Sequence, residues 1–289
     1  MRSLLFVPGN SAKMLAKSAS SGADVVIFDL EDAVHPDAKA EARELTGKTV
    51  REASRDGPQV YVRVNSLDSA WCEADIEAIV PSRPHGLMLP KLTGPHDLDR
   101  LDALMARHEP ADAKGATRII AVCTETPAAT LSLAAASWQR PRLAGLLWGG
   151  EDLSAEIGAS ANRETGGAYT APFQLARSLC LLAARAAGVV PIDAVFTNFR
   201  DGEGLALEAA AARRDGFGAK AAIHPNPIGI INAAFTPTEA ERAWASRVIT
   251  ALEASRSGVT QIDGMMIDAP HLAQARRILA AAASDRSGR

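Results

Sequence analysis

The sequence predicts an α/β protein, a (β/α)8 TIM barrel carrying a C-terminal helical extension. Eight short apolar runs recur along the first 223 residues, each bounded by turn residues and too short for a helix. Segments long enough for crossover helices lie between them, as parallel strands require. No glycine-rich dinucleotide fingerprint follows any early run, which weakens the competing doubly wound open sheet.

The strands are expected at 3–7 (SLLFV), 24–29 (DVVIFD), 59–64 (QVYVRV) and 86–89 (GLML), then at 118–123 (RIIAVC), 144–148 (AGLLW), 192–196 (IDAVF) and 219–223 (AKAAI). Continuous apolar runs suit strands buried on both faces. Helices are expected at 11–20, 36–54, 71–79, 95–107, 127–136, 172–187 and 203–215. Proline near several of their starts costs no hydrogen bond, and Gly22 and Gly188 read as helix-ending glycines. Residues 1–235 then form the catalytic barrel, and 236–289 an extension. Thr236-Pro237-Thr238-Glu239 resembles a helix start, with the helix running to about 255. A short strand at 264–267, a last helix from 270 to about 283 and a frayed tail (SDRSGR) complete the reading.

Composition removes several function classes. Hydrophobic residues make up 47% of the chain and the formal charge is only −3, which excludes disorder. That balance gives no basic face for nucleic acid, and an aromatic content of 4% gives no base-stacking platform. No apolar run reaches the length of a membrane span or a signal-peptide core, so a cytoplasmic protein with no membrane partner is expected. Cys72, Cys123 and Cys180 are widely spaced and contain no CxxC pair, so they read as reduced thiols, with Cys123 and Cys180 buried as small hydrophobes.

In such a barrel, function sits on the loops after the strands. Those positions hold Pro8-Gly9-Asn10, Asp29-Leu30-Glu31-Asp32, Arg63 and Asn65, and Pro90-Lys91. They continue with Thr124-Glu125-Thr126, Gly149-Gly150-Glu151-Asp152, Thr197-Asn198 and His224-Pro225-Asn226. Acids dominate. Converging carboxylates repel unless a cation or an arginine lies among them, and oxygen donors without clustered Cys or His suit a hard ion, Mg2+ or Mn2+. Glu125 and Asp152 follow adjacent strands and are the candidate metal ligands. Asp29, Glu31, Asp32 and Glu125 are candidates for substrate binding, and Glu151 for cofactor binding; each acid taken singly also reads as a helix cap or a solvated charge.

Arg63 lies inside a strand pattern, where it either holds a substrate carboxylate or makes a structural pair with Asp29 or Glu31. Lys91 is open to two readings, a Schiff-base lysine or an ion pair with a nearby acid. His224 is a candidate cofactor contact or a structural histidine. The first helix begins after Pro8-Gly9-Asn10-Ser11, and its N–H groups suit a phosphate, with Lys13 and Lys17 on one helix face that reads equally as a solvated one.

These segments in order resemble the HpcH/HpaI aldolase–citrate lyase family, in its citrate lyase β-subunit-like branch. The resemblance rests on RSLLFVPGN, VVIFDLEDAV, YVRVN, LMLPK, CTETPAA, LLWGGEDLSAEIGA, PFQLARSLCLLAARAAGV, VFTNFRDGEGL, AAIHPN and DGMMIDAP, spread over nearly the whole chain. It implies a barrel assembled as a homotrimer or hexamer. It implies reversible cleavage of a 3-hydroxyacyl thioester, usually a CoA ester of malyl, citramalyl or citryl type, into an acyl-CoA and an oxo-acid. Mg2+ would be bound at Glu125 and Asp152, and the substrate carboxyl at Arg63. Asp268, in MIDAP, would reach a neighbouring subunit's site and serve acid/base work; as a bland alternative it caps the last helix. A malyl-CoA-type thioesterase, and a citrate lyase component needing an acyl-carrier protein, are the alternatives. The loop 160–171 carries no recognisable site residue.

Overall fold

The computed structural model describes residues 1–255 and 258–286. Its centre is a closed barrel of eight parallel strands in sequence order. These are β1 (Ser3–Pro8), β2 (Val25–Asp29), β3 (Gln59–Arg63), β4 (Gly86–Leu89), β5 (Arg118–Val122), β6 (Leu143–Leu147), β7 (Val190–Asp193) and β8 (Ala219–Ala222). β1 closes on β8, with Leu4 opposite Ala221. The helices after the strands are α1 (Ala12–Ser18), α2 (Lys39–Glu52), α3 (Cys72–Ile79), α4 (His96–His108), α5 (Pro127–Ala135), α6 (Glu151–Glu156), α7 (Ala171–Ala186), α8 (Gly202–Asp215) and α9 (Ile228–Phe235). The expected (β/α)8 architecture is therefore present.

Successive strand residues face opposite sides, so each strand fills the interior with every second residue. Leu4, Val25, Ile27, Tyr61, Met88, Ile120, Val122, Leu147, Ile192, Ala219 and Ala221 form that inner core. Burying the Leu, Val, Ile and Met side chains among them contributes about 1.5–3 kcal/mol each, before the cost of ordering them. All three cysteines are buried and free. Among the described residues no helix is long and apolar enough to cross a membrane.

β7 starts two residues before the expected run and ends at Asp193, three residues short of its expected end, with Pro191 inside it. Proline normally argues against a central strand. Here its carbonyl still accepts the Gly218 N–H at 2.9 Å. Two short helices, α6 and α9, had no counterpart in the sequence reading. α6 has only six residues and begins on Gly150, without a side-chain cap that would mark it.

The compact unit Met1–Ile231 contains the barrel, and a second unit begins at Asn232. The second contains α10 (Glu239–Ala254), an antiparallel hairpin of β9 (Thr260–Ile262) and β10 (Met265–Ile267), and α11 (Ala269–Arg286). Thr238 and Glu241 cap α10 reciprocally in a capping box. Ala245, Val248, Leu252, Ile262, Ile267 and Ala275 form this unit's own core. Only the second strand of the hairpin was expected; the first is three residues long, too short to show a period. The last helix continues through Arg286 where fraying was expected, and the end of that tail, 287–289, lies outside the described residues.

Two consequences are testable. A Cβ on Gly86 would lie 2.2 Å from Cε1 of the buried Tyr61. Gly86→Ala should therefore cost about 1–3 kcal/mol in urea unfolding, and Tyr61→Leu should relieve part of that loss. Glu109 ends α4 and accepts from Arg142 and from the N–H groups of Gly115 and Thr117. Burial alone would raise its pKa, but Arg142 and the Gly115 N–H outweigh it and hold the carboxyl down at about 2, against an ordinary 4.5. A depressed folded-state pKa gives stability that is complete above the unfolded value and fades as pH falls through the folded one. Glu109→Gln should lose roughly 1–3 kcal/mol at pH 7, and the gap to the wild type should narrow as pH drops from 5 towards 3.

Candidate active site

The carboxyl ends of the strands open on a cleft of about 420 Å³. Its lining follows from the alternation that builds the core. Phe6 on β1, Asp29 on β2, Arg63 on β3, Val122 on β5, Leu147 on β6 and Ile223 after β8 continue the inward phase of Leu4, Ile27, Tyr61, Ile120, Gly145 and Ala221. The same periodicity that packs the floor thus aims Arg63 and Asp29 at the mouth.

Arg63 binds Asp29 with two prongs, Nε to Oδ1 at 2.8 Å and Nη2 to Oδ2 at 2.7 Å. Its Nη1 lies 2.8 Å from Glu31 and 3.7 Å from Asp32. The guanidinium also covers the Phe6 ring, 5.0 Å from its centroid. Burial pulls the Arg63 pKa down, but the Asp29 bond outweighs it and the net shift is upward. Asp29 is further held by the N–H groups of Glu31 and Ala33, at 2.9 and 3.2 Å. Lys39 reaches from α2 and fixes the same loop, donating to the carbonyls of Leu30 and Glu31 and to Asn65, each at 2.7 Å. Gly9 meets this turn so closely that a Cβ would lie 2.7 Å from the Asp29 carbonyl oxygen.

Lys91 is the second cation. Its Nζ pairs with Glu31, with Asp32 at 3.0 Å and with Asp152 at 3.5 Å. Burial lowers its pKa, yet the bonds to Glu31 and Asp32 prevail and keep it charged. A Schiff-base lysine needs the opposite, a neutral amine, so the ion-pair reading fits. Lys91 also adopts a left-handed φ of 52°. Such a conformation is uncommon for a residue with a side chain, and it is found here at a site. The Lys91 N–H donates to Glu125.

Five carboxylates (Asp29, Glu31, Asp32, Glu125 and Asp152) are thus set against Arg63 and Lys91, with Lys39 buried behind the loop as a third cation. Glu125 is 3% exposed. Burial, followed by the charges of Asp152 and Glu31, pushes its carboxyl up to about 8 against the pull of the Lys91 N–H. Oε2 of Glu31 is buried and makes no well-directed hydrogen bond, although Arg63 lies within ion-pair distance. Among the described residues no group of three metal-capable His, Cys, Asp or Glu side chains occurs. Two carboxylates with spare lone pairs, facing one cleft with a deficit of positive charge, still fit Mg2+, which commonly takes one or two from the protein and completes its octahedron with water and substrate.

The opposite wall is aromatic. The Trp148 indole donates to Asp193 at 2.7 Å, and Tyr169 meets Trp148 edge-on at 4.8 Å. Arg163 stacks on Tyr169 at 3.8 Å and pairs with Glu208 at 2.8 Å. Asp193 also binds the fully buried Lys220 at 2.8 Å and Arg177 at 3.0 Å. Tyr169 comes from the loop in which no site residue was expected. The chain's scarcity of tyrosine, two in all, was the one available signal.

Asp29, Asp32, Arg63, Glu125, Glu151 and Asp152 therefore line one cleft, and Glu31 joins them through Arg63 and Lys91. Glu151 is exposed and accepts from Asn162. Lys13 lies exposed on α1, outside the cleft lining. His224 stacks on Phe199 at 4.5 Å and accepts the Asn226 N–H at 3.2 Å. Asp268, in the second unit, precedes α11, and its Oδ1 lies 2.6 Å from Nδ1 of His271.

The family model for HpcH/HpaI aldolase/citrate lyase matches residues 2–225. A (3S)-malyl-CoA thioesterase of Cereibacter sphaeroides is 36% identical over 284 residues, covering 97% of this chain and 94% of that protein. A mitochondrial citramalyl-CoA lyase of Rattus norvegicus is 34% identical, covering 98% and 86%. Among solved structures, protein CitE from Mycobacterium tuberculosis, in complex with magnesium, acetoacetate and coenzyme A, superposes with a TM-score of 0.80 at 33% identity, covering 98% of each chain.

The wall network can be tested by stability. Asp193→Asn should keep the Trp148 bond but remove the charge facing buried Lys220, at a cost on the order of 3 kcal/mol in denaturant unfolding. The double variant D193N/K220M should recover part of that loss, because the orphaned ammonium is gone; no recovery would refute the pairing as the source.

Proposed function

Because this chain belongs to the HpcH/HpaI aldolase/citrate lyase family, we infer that its mouth residues divide the work of cleaving a 3-hydroxyacyl-CoA into an acyl-CoA and an oxo-acid. The enzyme is a Mg2+-dependent carbon–carbon lyase of the oxo-acid type, acting on a CoA ester. The observation that carries the assignment of roles is the charge deficit around Glu125, beside an arginine already fixed for planar recognition.

Glu125 and Asp152 are the residues that would hold the metal. The chemistry the metal supplies when bound is Lewis-acid polarisation of the substrate's oxo oxygen. Arg63 neutralises the carboxylate of the oxo-acid, and its pairing with Asp29 keeps the fork oriented without a search of rotamers. Asp32 and Glu31 hold Lys91 and Arg63 in register. Phe6, Val122, Leu147 and Ile223 supply an apolar floor beside the reacting carbons. In cleavage a base takes the hydroxyl proton, the bond between the hydroxyl-bearing carbon and the thioester α-carbon breaks, and the α-carbon then receives a proton. Asp268 of a neighbouring subunit is the proposed acid/base group, with the chain assembled as a homotrimer or hexamer in which residues 236–289 cover the adjoining site. Lys13, Glu151 and His224 are the proposed contacts of the CoA portion.

A second reading, hydrolysis of a malyl-type thioester by a positioned water, is favoured by the similarity to the malyl-CoA thioesterase. Purified protein with Mg2+ and malyl-, citramalyl- or citryl-CoA decides between them. Glyoxylate, pyruvate or oxaloacetate together with an acyl-CoA is the expected product pair. Free hydroxy-acid and CoA would establish the thioesterase, and turnover confined to an acyl-carrier-protein ester would establish a citrate lyase component. Glu125→Gln and Asp152→Asn should each lower kcat by about a hundredfold or more and weaken Mg2+ binding measured by titration. Arg63→Lys should raise KM for the oxo-acid in the condensation direction by about tenfold or more. Unchanged kinetics in all three would overturn the assignment.

A further inference from the structure

The other end of the barrel holds a second cleft, of about 340 Å³, where β3, β4 and β5 begin. Its chemistry is the reverse of the mouth. Arg55, Arg83 and Arg118 line it with His85 and Tyr61, and no acidic side chain does. Among the described residues neither Arg55 nor Arg118 has a carboxylate partner: Arg55 donates to the Arg83 carbonyl at 3.1 Å and Arg118 to the Leu143 carbonyl at 3.1 Å. Only Arg83 is neutralised, by both oxygens of Asp112 at 2.8 and 2.9 Å.

Two neutral donors complete the set. Nδ1 of His85 accepts the Val60 N–H at 3.0 Å, which leaves the ring proton on Nε2. Tyr61 also lines the cleft, its ring packed beside Gly86, and its hydroxyl makes no hydrogen bond to protein among the described residues. Burial and the Arg55 charge both lower the His85 pKa, so the ring stays neutral and adds no further repulsion. Arg83 is held in the left-handed region, φ 59°, as the cap of the turn Val80–Ser82. Three arginines thus line one cleft, all of them exposed, with Arg83 in a backbone conformation that side chains seldom adopt and no acid in the lining.

We propose that this cleft is a binding site for a small multivalent oxyanion, a phosphate or a di- or tricarboxylate, at the end of the barrel opposite the reaction. Guanidinium forks match the geometry of both oxyanions, and the cleft has room for either. The ligand would tie together the starts of three strands, two of which carry Arg63 and Glu125 at or just beyond their far ends. It would bind the native state alone and so raise its stability.

The experiment is calorimetric titration and thermal unfolding of the whole chain, without Mg2+, in sodium phosphate and in sodium citrate, against sodium chloride at matched ionic strength. Saturable binding of either anion below roughly 10 mM, with a matching rise in Tm, is expected. Arg118→Gln should weaken it by about tenfold or more, and R55Q/R118Q should abolish it while CoA-ester turnover stays unchanged. General salting-out would persist in that double variant, so it is subtracted directly. Binding of phosphate alone identifies a phosphate site, of citrate alone a polycarboxylate site, and of both a site that reads charge. No saturable binding of either anion, or equal binding in R55Q/R118Q, would overturn the proposal.

Discussion

The two-pronged bond between Arg63 and Asp29 is the interaction on which the mouth of the barrel depends. Carboxylates gathered at the ends of parallel strands repel one another, and burial raises the cost further. Arg63 offsets this for Asp29 and Glu31 at once. Lys91 does the same for Glu31, Asp32 and Asp152, and so joins the loops after β2 and β4 to the first turn of α6. Each cation serves several acids, so neither can move without releasing a repulsion. That shared pairing positions the acids more firmly than any single loop could.

The pairing also leaves a remainder. Glu125 is as buried as Asp29 but receives one backbone N–H where Asp29 receives a guanidinium. The difference is chemical: the first carboxylate is satisfied by protein, and the second is raised towards neutrality and suited to take a cation. A site that binds a metal and a carboxylate-bearing substrate needs both kinds of acid. The barrel provides them from the same face because the carboxyl ends of all its parallel strands lie at one end.

The wall of the cleft depends on a different buried network. Asp193, Lys220, Arg177 and Glu208 lie on the outward phase of β7 and β8 and on the helices packed there. From outside the barrel they hold Trp148, and through it Tyr169, against the cleft. The inner phase of the strands carries the floor and the outer phase carries the support, which is why one alternating pattern serves both packing and chemistry.

The barrel was legible in the residue pattern alone, since eight buried runs separated by helical segments have few other solutions, and so were the acids and the arginine that stand at strand ends. Strand phase is readable from Tyr61 to Arg63 because a two-residue period needs no tertiary information. Pairing was not readable. Whether Arg63 met Asp29 or stood free, and whether Lys91 was nucleophile or counter-ion, turned on distances between loops 30 to 60 residues apart in sequence. Tyr169 was missed because a long loop has no period to place it, α6 because it is short and has no side-chain cap, and α9 because eight residues show little period. The basic cleft at the far end was invisible for the same reason: Arg55, Arg83 and Arg118 look like scattered surface charges until closure of the barrel brings the starts of three strands together. Local pattern fixes which way a residue faces; only closure of the chain decides what it faces.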